Sequence, residues 1–180
     1  MVQNENKILL HACCGICSGY PISLLKEIGY SPLVYFCNPN LDTLDEFERR
    51  LEAQKSVCEY FNVDLIVEKY SQEEYLDYII GYENEPEKGS RCDKCMELRL
   101  RKTGRKAKEL GIKEFTTSLS VSPHKNFKKI LVIGQSIAKD YELEFAPFDF
   151  KKKDGFLKTN ILSKELGLYR QNYCGCKFAK

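Results

Sequence analysis

Two rhythms of apolar and polar positions alternate along this chain. Residues 7–12 (KILLHA) form a short, nearly unbroken apolar run, the mark of a buried strand. A helical stretch follows from about residue 15 to residue 29, and residues 31–37 (SPLVYFC) read as a second strand ending in the turn-like NPN. Thr43-x-x-Glu46 is a capping box, opening a helix with Leu44, Phe47, Leu51, Cys58 and Phe61 along one apolar stripe. Residues 64–70 (DLIVEKY) give a third strand, and Ser71-x-x-Glu74 caps a short helix through Ile80. A polar loop over 81–90 leads to a helix from about 93 to 110. Residues 114–120 (EFTTSLS) are a fourth strand, a helix covers about 126 to 139, and 141–150 hold a fifth strand before a short, partly helical tail.

Strands alternating with helices predict an α/β fold, a Rossmann-like parallel sheet with helices on both faces. In such folds ligands gather beyond the carboxyl ends of the strands. The first strand delivers HACCGIC to that edge, the second CNPN and the fourth SLSVSPHK.

Length and composition narrow the setting. The 180 residues suit one domain, 1–180, with a core that needs no disulfide staples. The apolar runs are too short to span a bilayer. The polar, charged start MVQNEN precedes too short an apolar run for a secretion signal, so the expected location is cytoplasmic. There, thiols stay reduced and a disulfide framework is not expected. Nine cysteines, an odd count, therefore point to metal ligation, redox chemistry or small buried apolar groups. The net charge of +2 excludes a polycation, although basic residues bunch at 99–108, 125–129 and 151–153. Together those bunches keep a polyanionic partner in view.

The cysteines sort by position. Cys58 lies on the apolar stripe of its helix and Cys37 ends a strand, and both read as core. Cys13, Cys14 and Cys17 follow the first strand; Cys92 and Cys95 form C-x-x-C at a helix start; Cys174 and Cys176 form C-x-C. A helix N-terminus and its free N–H groups stabilise thiolates. Cys14-x-x-Cys17 with Cys92-x-x-Cys95 make a four-thiolate set, in which Cys13 can replace Cys17; such a set suits zinc or an iron–sulfur cluster. In YCGC, Gly175 lets the backbone bend far enough for a small, easily reduced disulfide ring; a second metal beside the first is the alternative.

Read in order, HACCGICS, FCNPN, DEFERR, RCDKCMELRL, FTTSLSVSPHKN and YRQNYCGC resemble the epoxyqueuosine reductases of the QueH type, over residues 7–176. The segment LDTLDEF departs from the pattern, with Asp42 and Thr43 standing where a His-Pro pair is expected. The resemblance implies a fold similar to the nucleotide alpha-hydrolases and an oxidoreductase of tRNA modification that removes the epoxide oxygen of epoxyqueuosine in tRNA. It implies a [4Fe-4S] cluster on Cys13, Cys14, Cys92 and Cys95, with Cys174 and Cys176 as a redox-active pair or as ligands of an additional iron ion. On this reading thiols take the place of a glycine-rich phosphate cradle after the first strand.

Deoxygenating an epoxide takes two electrons and two protons, whereas a [4Fe-4S] cluster passes one electron at a time. A second store is needed, for which Cys174 and Cys176 are the candidates, together with an external electron donor. His11, His124 and Asp42 are possible proton sources, though ordinary hydrogen bonding accounts for each. Arg99, Arg101, Lys125, Lys128 and Lys151 to Lys153 are expected to hold tRNA phosphates. Two other readings remain: a cluster-dependent tRNA thiolation enzyme, which needs a pyrophosphate loop that HACCGICSGY lacks, and a zinc-stabilised RNA-binding module.

Overall fold

The computed structural model describes residues 6–179; the polar start read at 1–5 lies outside the described residues. In chain order the elements are β1 (Lys7–Ala12), α1 (Gly15–Glu27), β2 (Ser31–Phe36), α2 (Leu44–Phe61), β3 (Leu65–Val67), α3 (Gln72–Tyr78) and α4 (Ser90–Leu110). Then come β4 (Glu114–Thr117), a 3-10 turn (Ser118–Val121), α5 (Phe127–Tyr141), β5 (Glu144–Phe145), α6 (Gly155–Glu165) and a last 3-10 turn (Lys177–Ala179). The five strands pair in parallel in the order β3-β2-β1-β4-β5. The expected α/β architecture is therefore present.

The central strand is apolar on both sides because both sides are covered. Ile8, Leu10 and Ala12 pack with Ile22 and Leu25 of α1 and Val57 of α2. Leu9, on the opposite face, packs with Met96 and Leu100 of α4 and Ile130 of α5. Helices α1, α2 and α6 pack together, and so do α4 and α5. Cys37 and Cys58 are buried, as their positions predicted.

Four local outcomes differ from the sequence reading, and each has a physical cause. Strand β4 stops at Thr117, whose Oγ1 accepts from the Leu119 N–H at 3.1 Å and winds the next residues into the 3-10 turn. Helix α4 starts at Ser90, three residues ahead of the expected start, and places Cys92 in its first turn and Cys95 just beyond, as the C-x-x-C reading expected. At α2 only half of the capping box forms: Thr43 Oγ1 accepts from the Glu46 N–H at 3.1 Å, while the Glu46 carboxylate binds Arg50 instead. The buried face of α2 accordingly carries Glu46, Arg50 and Gln54 beside Phe47, Ala53 and Val57, and Leu44 is exposed. Ser71 makes no side-chain cap to α3.

The strand order reverses between β1 and β4: the connection after β1 leads toward β2, whereas that after β4 leads toward β5. Such a switch point opens a crevice where the two carboxyl ends diverge, the usual ligand position in doubly wound sheets. Among the described residues no helix is long and apolar enough to cross a membrane.

Candidate metal centre

The crevice is built of sulfur. Cys13 follows β1 directly, Cys14 is the N-cap residue of α1 in extended conformation, and Cys17 lies in the first turn of that helix. Their three Sγ atoms all lie within 4.8 Å of one another, a set able to hold a metal ion. The Cys13 and Cys14 sulfurs are 3.9 Å apart, and Cys13 Sγ stands 3.8 Å from Ser118 Oγ across the switch point, at the end of β4. Gly15 makes this turn possible: a Cβ there would sit 2.6 Å from the Ala53 carbonyl oxygen, so only glycine lets α1 approach α2 so closely.

Within the triad the charge falls on Cys13. Hydrogen bonds from the Cys14 and Cys17 thiols hold it well below the usual cysteine range, with help from Arg99. The same contacts push Cys14 up to about 12 and Cys17 well above its ordinary value. Three adjacent thiols, of which Cys13 is the most readily ionised, are a soft ligand set. Gln171 adds an N–H to Cys14 Sγ at 2.8 Å.

A neighbouring pocket gathers the other four thiols. Cys92 and Cys95 enter from α4, and Cys174 and Cys176 from the C-terminal loop, with Arg91, Arg99 and Lys125 around them. Cys92 Sγ accepts from the Lys88 N–H at 3.2 Å, and the Tyr75 hydroxyl meets Cys176 Sγ at 2.9 Å. Burial pushes the Cys95 thiol up, while Arg99 and Lys125 pull it down. All nine cysteines are free thiols in this structure. Cys13 and Cys14 thus stand with Cys17, and Cys92 and Cys95 stand with Cys174 and Cys176. Arg99 faces members of both groups.

A buried clamp holds the YCGC loop in place. Arg50 donates to the carbonyl oxygens of Tyr173 at 2.9 Å and Cys174 at 3.1 Å, and its Nε binds Glu46 Oε1 at 2.7 Å. Glu46 Oε2 accepts from the Tyr169 hydroxyl at 2.8 Å, and the Asp42 N–H donates to the Gly175 carbonyl at 2.8 Å. Gly175 has φ +98, and a Cβ there would lie 2.2 Å from Leu41 Cδ2. Gly175→Ala is therefore expected to cost about 1–2 kcal/mol, the scale of left-handed strain, and to open the loop. A lower melting temperature with faster thiol labelling of Cys174 and Cys176 is the readout.

Several expectations about single residues change here. His11 is fully buried; its Nε2–H donates to the Cys37 carbonyl at 2.9 Å and Nδ1 accepts from Thr117 Oγ1 at 2.8 Å. Burial, then the Arg99 charge, lowers it to about 4, so it is a neutral structural imidazole and not a proton source. His124 is exposed, and Asp42 accepts from the Tyr173 hydroxyl at 2.6 Å. Arg99, expected on phosphates, is buried. Arg101 is paired with Glu97 and Asp140, and Lys151 with Asp149. Sequence reasoning gave no site role to Arg50, Tyr75 or Gln171 and read Glu46 only as part of a capping box; only the buried side of α2 shows Glu46 and Arg50 as a pair.

The residues present fit a bound inorganic group. Among the described residues, the buried side-chain polar atoms without a hydrogen-bond partner are Asn40 Oδ1, Arg91 Nε, Arg99 Nε and Gln171 Oε1. Asn40, Arg91 and Arg99 line the thiol pocket, and Gln171 binds Cys14. Orphan polar atoms are rare in native proteins, and here they concentrate around sulfur.

Comparison with known proteins covers nearly the whole chain. Residues 8–180 match the family model described as epoxyqueuosine reductase QueH. The chain is 38% identical over 178 residues to the epoxyqueuosine reductase QueH of Streptococcus pyogenes serotype M1, covering 96% of this chain and 69% of that protein. It is 39% identical over 179 residues to the Helicobacter pylori protein of the same name, covering 96% of this chain but only 49% of the relative. With the Thermotoga maritima protein, again of that name, the identity is 34% over 175 residues, 96% of this chain and 89% of the relative. A solved structure from Methanocaldococcus jannaschii, described as a predicted subunit of tRNA methyltransferase, superposes with a TM-score of 0.57 at 12% identity, covering 88% of this chain and 76% of that one. That likeness concerns the fold alone.

Proposed function

The chain belongs to the epoxyqueuosine reductase QueH family, an oxidoreductase family of tRNA modification, and from that premise we propose how its crevice works. The substrate is tRNA carrying epoxyqueuosine, and the reaction turns the epoxide, two electrons and two protons into an alkene and water. The observation that supports this most is the grouping of three thiols at the β1/β4 switch point and of four more, with the buried Arg91 and Arg99, in a neighbouring pocket. Cys13, Cys14, Cys92 and Cys95 are the proposed ligands of a [4Fe-4S] cluster, with Cys17 in reserve beside them. When bound, such a cluster supplies single electrons at low potential.

Cys174 and Cys176 supply the rest. As two thiols passing to a disulfide, they release two electrons and two protons, which balances the reaction; as two thiolates, they hold an additional iron ion. The Arg50 clamp orients both sulfurs toward Cys92 and Cys95, and the neighbouring apolar side chains, Tyr75, Leu98 and Phe178, keep water away. An external one-electron donor recharges the centre. The whole chain, 1–180, acts as one catalytic unit in the cytoplasm.

Substrate backbone contacts fall to Lys125, Lys128, Lys152 and Lys153, which form no ion pair with a carboxylate among the described residues, unlike Lys129 and Lys151. Binding of tRNA should weaken steeply with salt, and each of these lysines changed to alanine should reduce the slope of log K against log salt by about one. Filter binding between about 50 and 200 mM salt reads this; a flat response excludes the surface.

The decisive experiment is anaerobic purification with iron and sulfide analysis and electron paramagnetic resonance on wild type, Cys174→Ser and Cys176→Ser. Four irons per chain, with both variants keeping the cluster signal but losing turnover, places the C-x-C pair outside the cluster. Loss of the signal makes the pair ligands, and one zinc per chain without iron refutes the cluster. The thiolation reading finds no pyrophosphate cradle in the β1–α1 turn.

A further inference from the structure

We propose that Arg99 is the built-in counter-charge of the sulfur centre, a positioning residue that sets the potential at which the centre accepts an electron; this rests on the cluster reading above. Arg99 lies on α4 one turn beyond Cys95, with only 4% of its surface exposed. Burying a guanidinium is costly unless an anion accompanies it. Of the other buried bases, Arg50 and Lys102 meet that demand with carboxylates, whereas Arg91 meets it with backbone carbonyls. Arg50 binds Glu46 at 2.7 Å, and Lys102 binds Glu74 at 2.6 Å and Glu68 at 3.4 Å. Arg91 spends its Nη1 on the carbonyls of Glu83 and Glu85, pinning the loop ahead of α4.

Arg99 has no such partner. Among the described residues it forms no ion pair with a carboxylate; its Nε has no acceptor, and its Nη1 reaches only Asn38 Oδ1, at 3.4 Å. It lines the thiol pocket with Cys92, Cys95, Cys174 and Cys176, and Cys13 and Cys37 are also among its charge neighbours. Burial opposes its charge, yet neighbouring thiols hold it above the ordinary arginine value. A fixed cation among thiols, with its hydrogen-bonding capacity unspent, awaits negative charge.

Reduction delivers that charge. One electron passes from a low-potential one-electron carrier to the centre; the carrier is oxidised, the centre is reduced, and no bond forms or breaks. The centre thereby gains one negative charge beside a cation in a low-dielectric site, where charge interactions are strong. Net charge, hydrogen bonds to sulfur and solvent exposure are the levers by which a protein sets a cluster's potential, and Arg99 acts on the first.

The test compares wild type, Arg99→Met and Arg99→Lys, purified anaerobically, with iron content, melting temperature and midpoint potential by spectroscopic titration. Arg99→Met is expected to shift the oxidised-to-reduced ratio at least tenfold toward the oxidised form, which is about 59 mV downward for one electron. Arg99→Lys, which keeps the charge, is expected to stay within threefold of wild type. Failure of Arg99→Met to load iron while Arg99→Lys loads it also supports the inference, since lysine keeps the positive charge that methionine lacks. A shift below threefold in Arg99→Met, an equal shift in both variants, or loss of iron from both overturns it. A wild type without a redox-active centre overturns the cluster reading and this inference with it, which distinguishes that failure from the others.

Discussion

Cys13→Ser is expected to abolish metal binding and with it turnover, by more than about 100-fold. Even residues one step removed from metal ligands cost about 10- to 100-fold when changed, and Cys13 is the sulfur on which the triad concentrates its charge. The Cys14 and Cys17 thiols and the Arg99 guanidinium all favour its thiolate. A serine hydroxyl in the same place is a hard, protonated oxygen and a poor ligand for iron. The matched control is Cys58→Ala, at a buried thiol whose neighbour is Gln54 Nε2 at 3.4 Å, far along α2 from the crevice. That variant should keep its full iron and lose only stability. Iron analysis on both proteins decides the matter: equal iron in Cys13→Ser and wild type contradicts the assignment.

Arg50→Met should cost about 3–5 kcal/mol, the penalty for leaving one partner of a buried ion pair behind. Glu46 would keep only the Tyr169 hydroxyl, the Tyr173 carbonyl would lose its donor, and the Cys174 carbonyl would keep only the Asn40 amide at 3.4 Å. Against a total stability of about 5–15 kcal/mol, this is a large share. The damage should also be local, because the guanidinium is the tether between α2 and the C-x-C loop. Labelling of Cys174 and Cys176 is expected to accelerate well below the melting temperature. In the double variant with Glu46→Gln the losses should be less than additive. Denaturant unfolding of the single and double variants measures this, and full additivity would show that the two residues do not act as one unit.

The sheet was legible because β1 and β2 carry apolar runs that a two-sided burial explains, and helices intervene with caps or stripes. The thiols were legible too, because cysteine at that spacing has few other uses. The grouping of the thiols was not. It depends on where α4 begins and on how the C-terminal loop folds back, and neither Gly89 before α4 nor the tail carries a strong local signal. The buried charges were the least visible. Arg50 follows Glu46 by four residues and Arg99 sits within a basic bunch, so both read as solvent-facing. Only tertiary packing turns those helix faces inward, and periodicity taken from apolar residues alone misses a buried face made partly of charge.

The thiols that share this crevice come from the β1–α1 turn, from the start of α4 and from the loop before the last 3-10 turn. During synthesis the first three sulfurs leave the ribosome long before the last two exist. A nascent chain therefore offers a half-built soft-metal trap, and any ion captured then would be held by the wrong company. On the proposed ligand set, loading would have to wait until α4 has packed against β1 and brought Cys92 and Cys95 to the finished sheet.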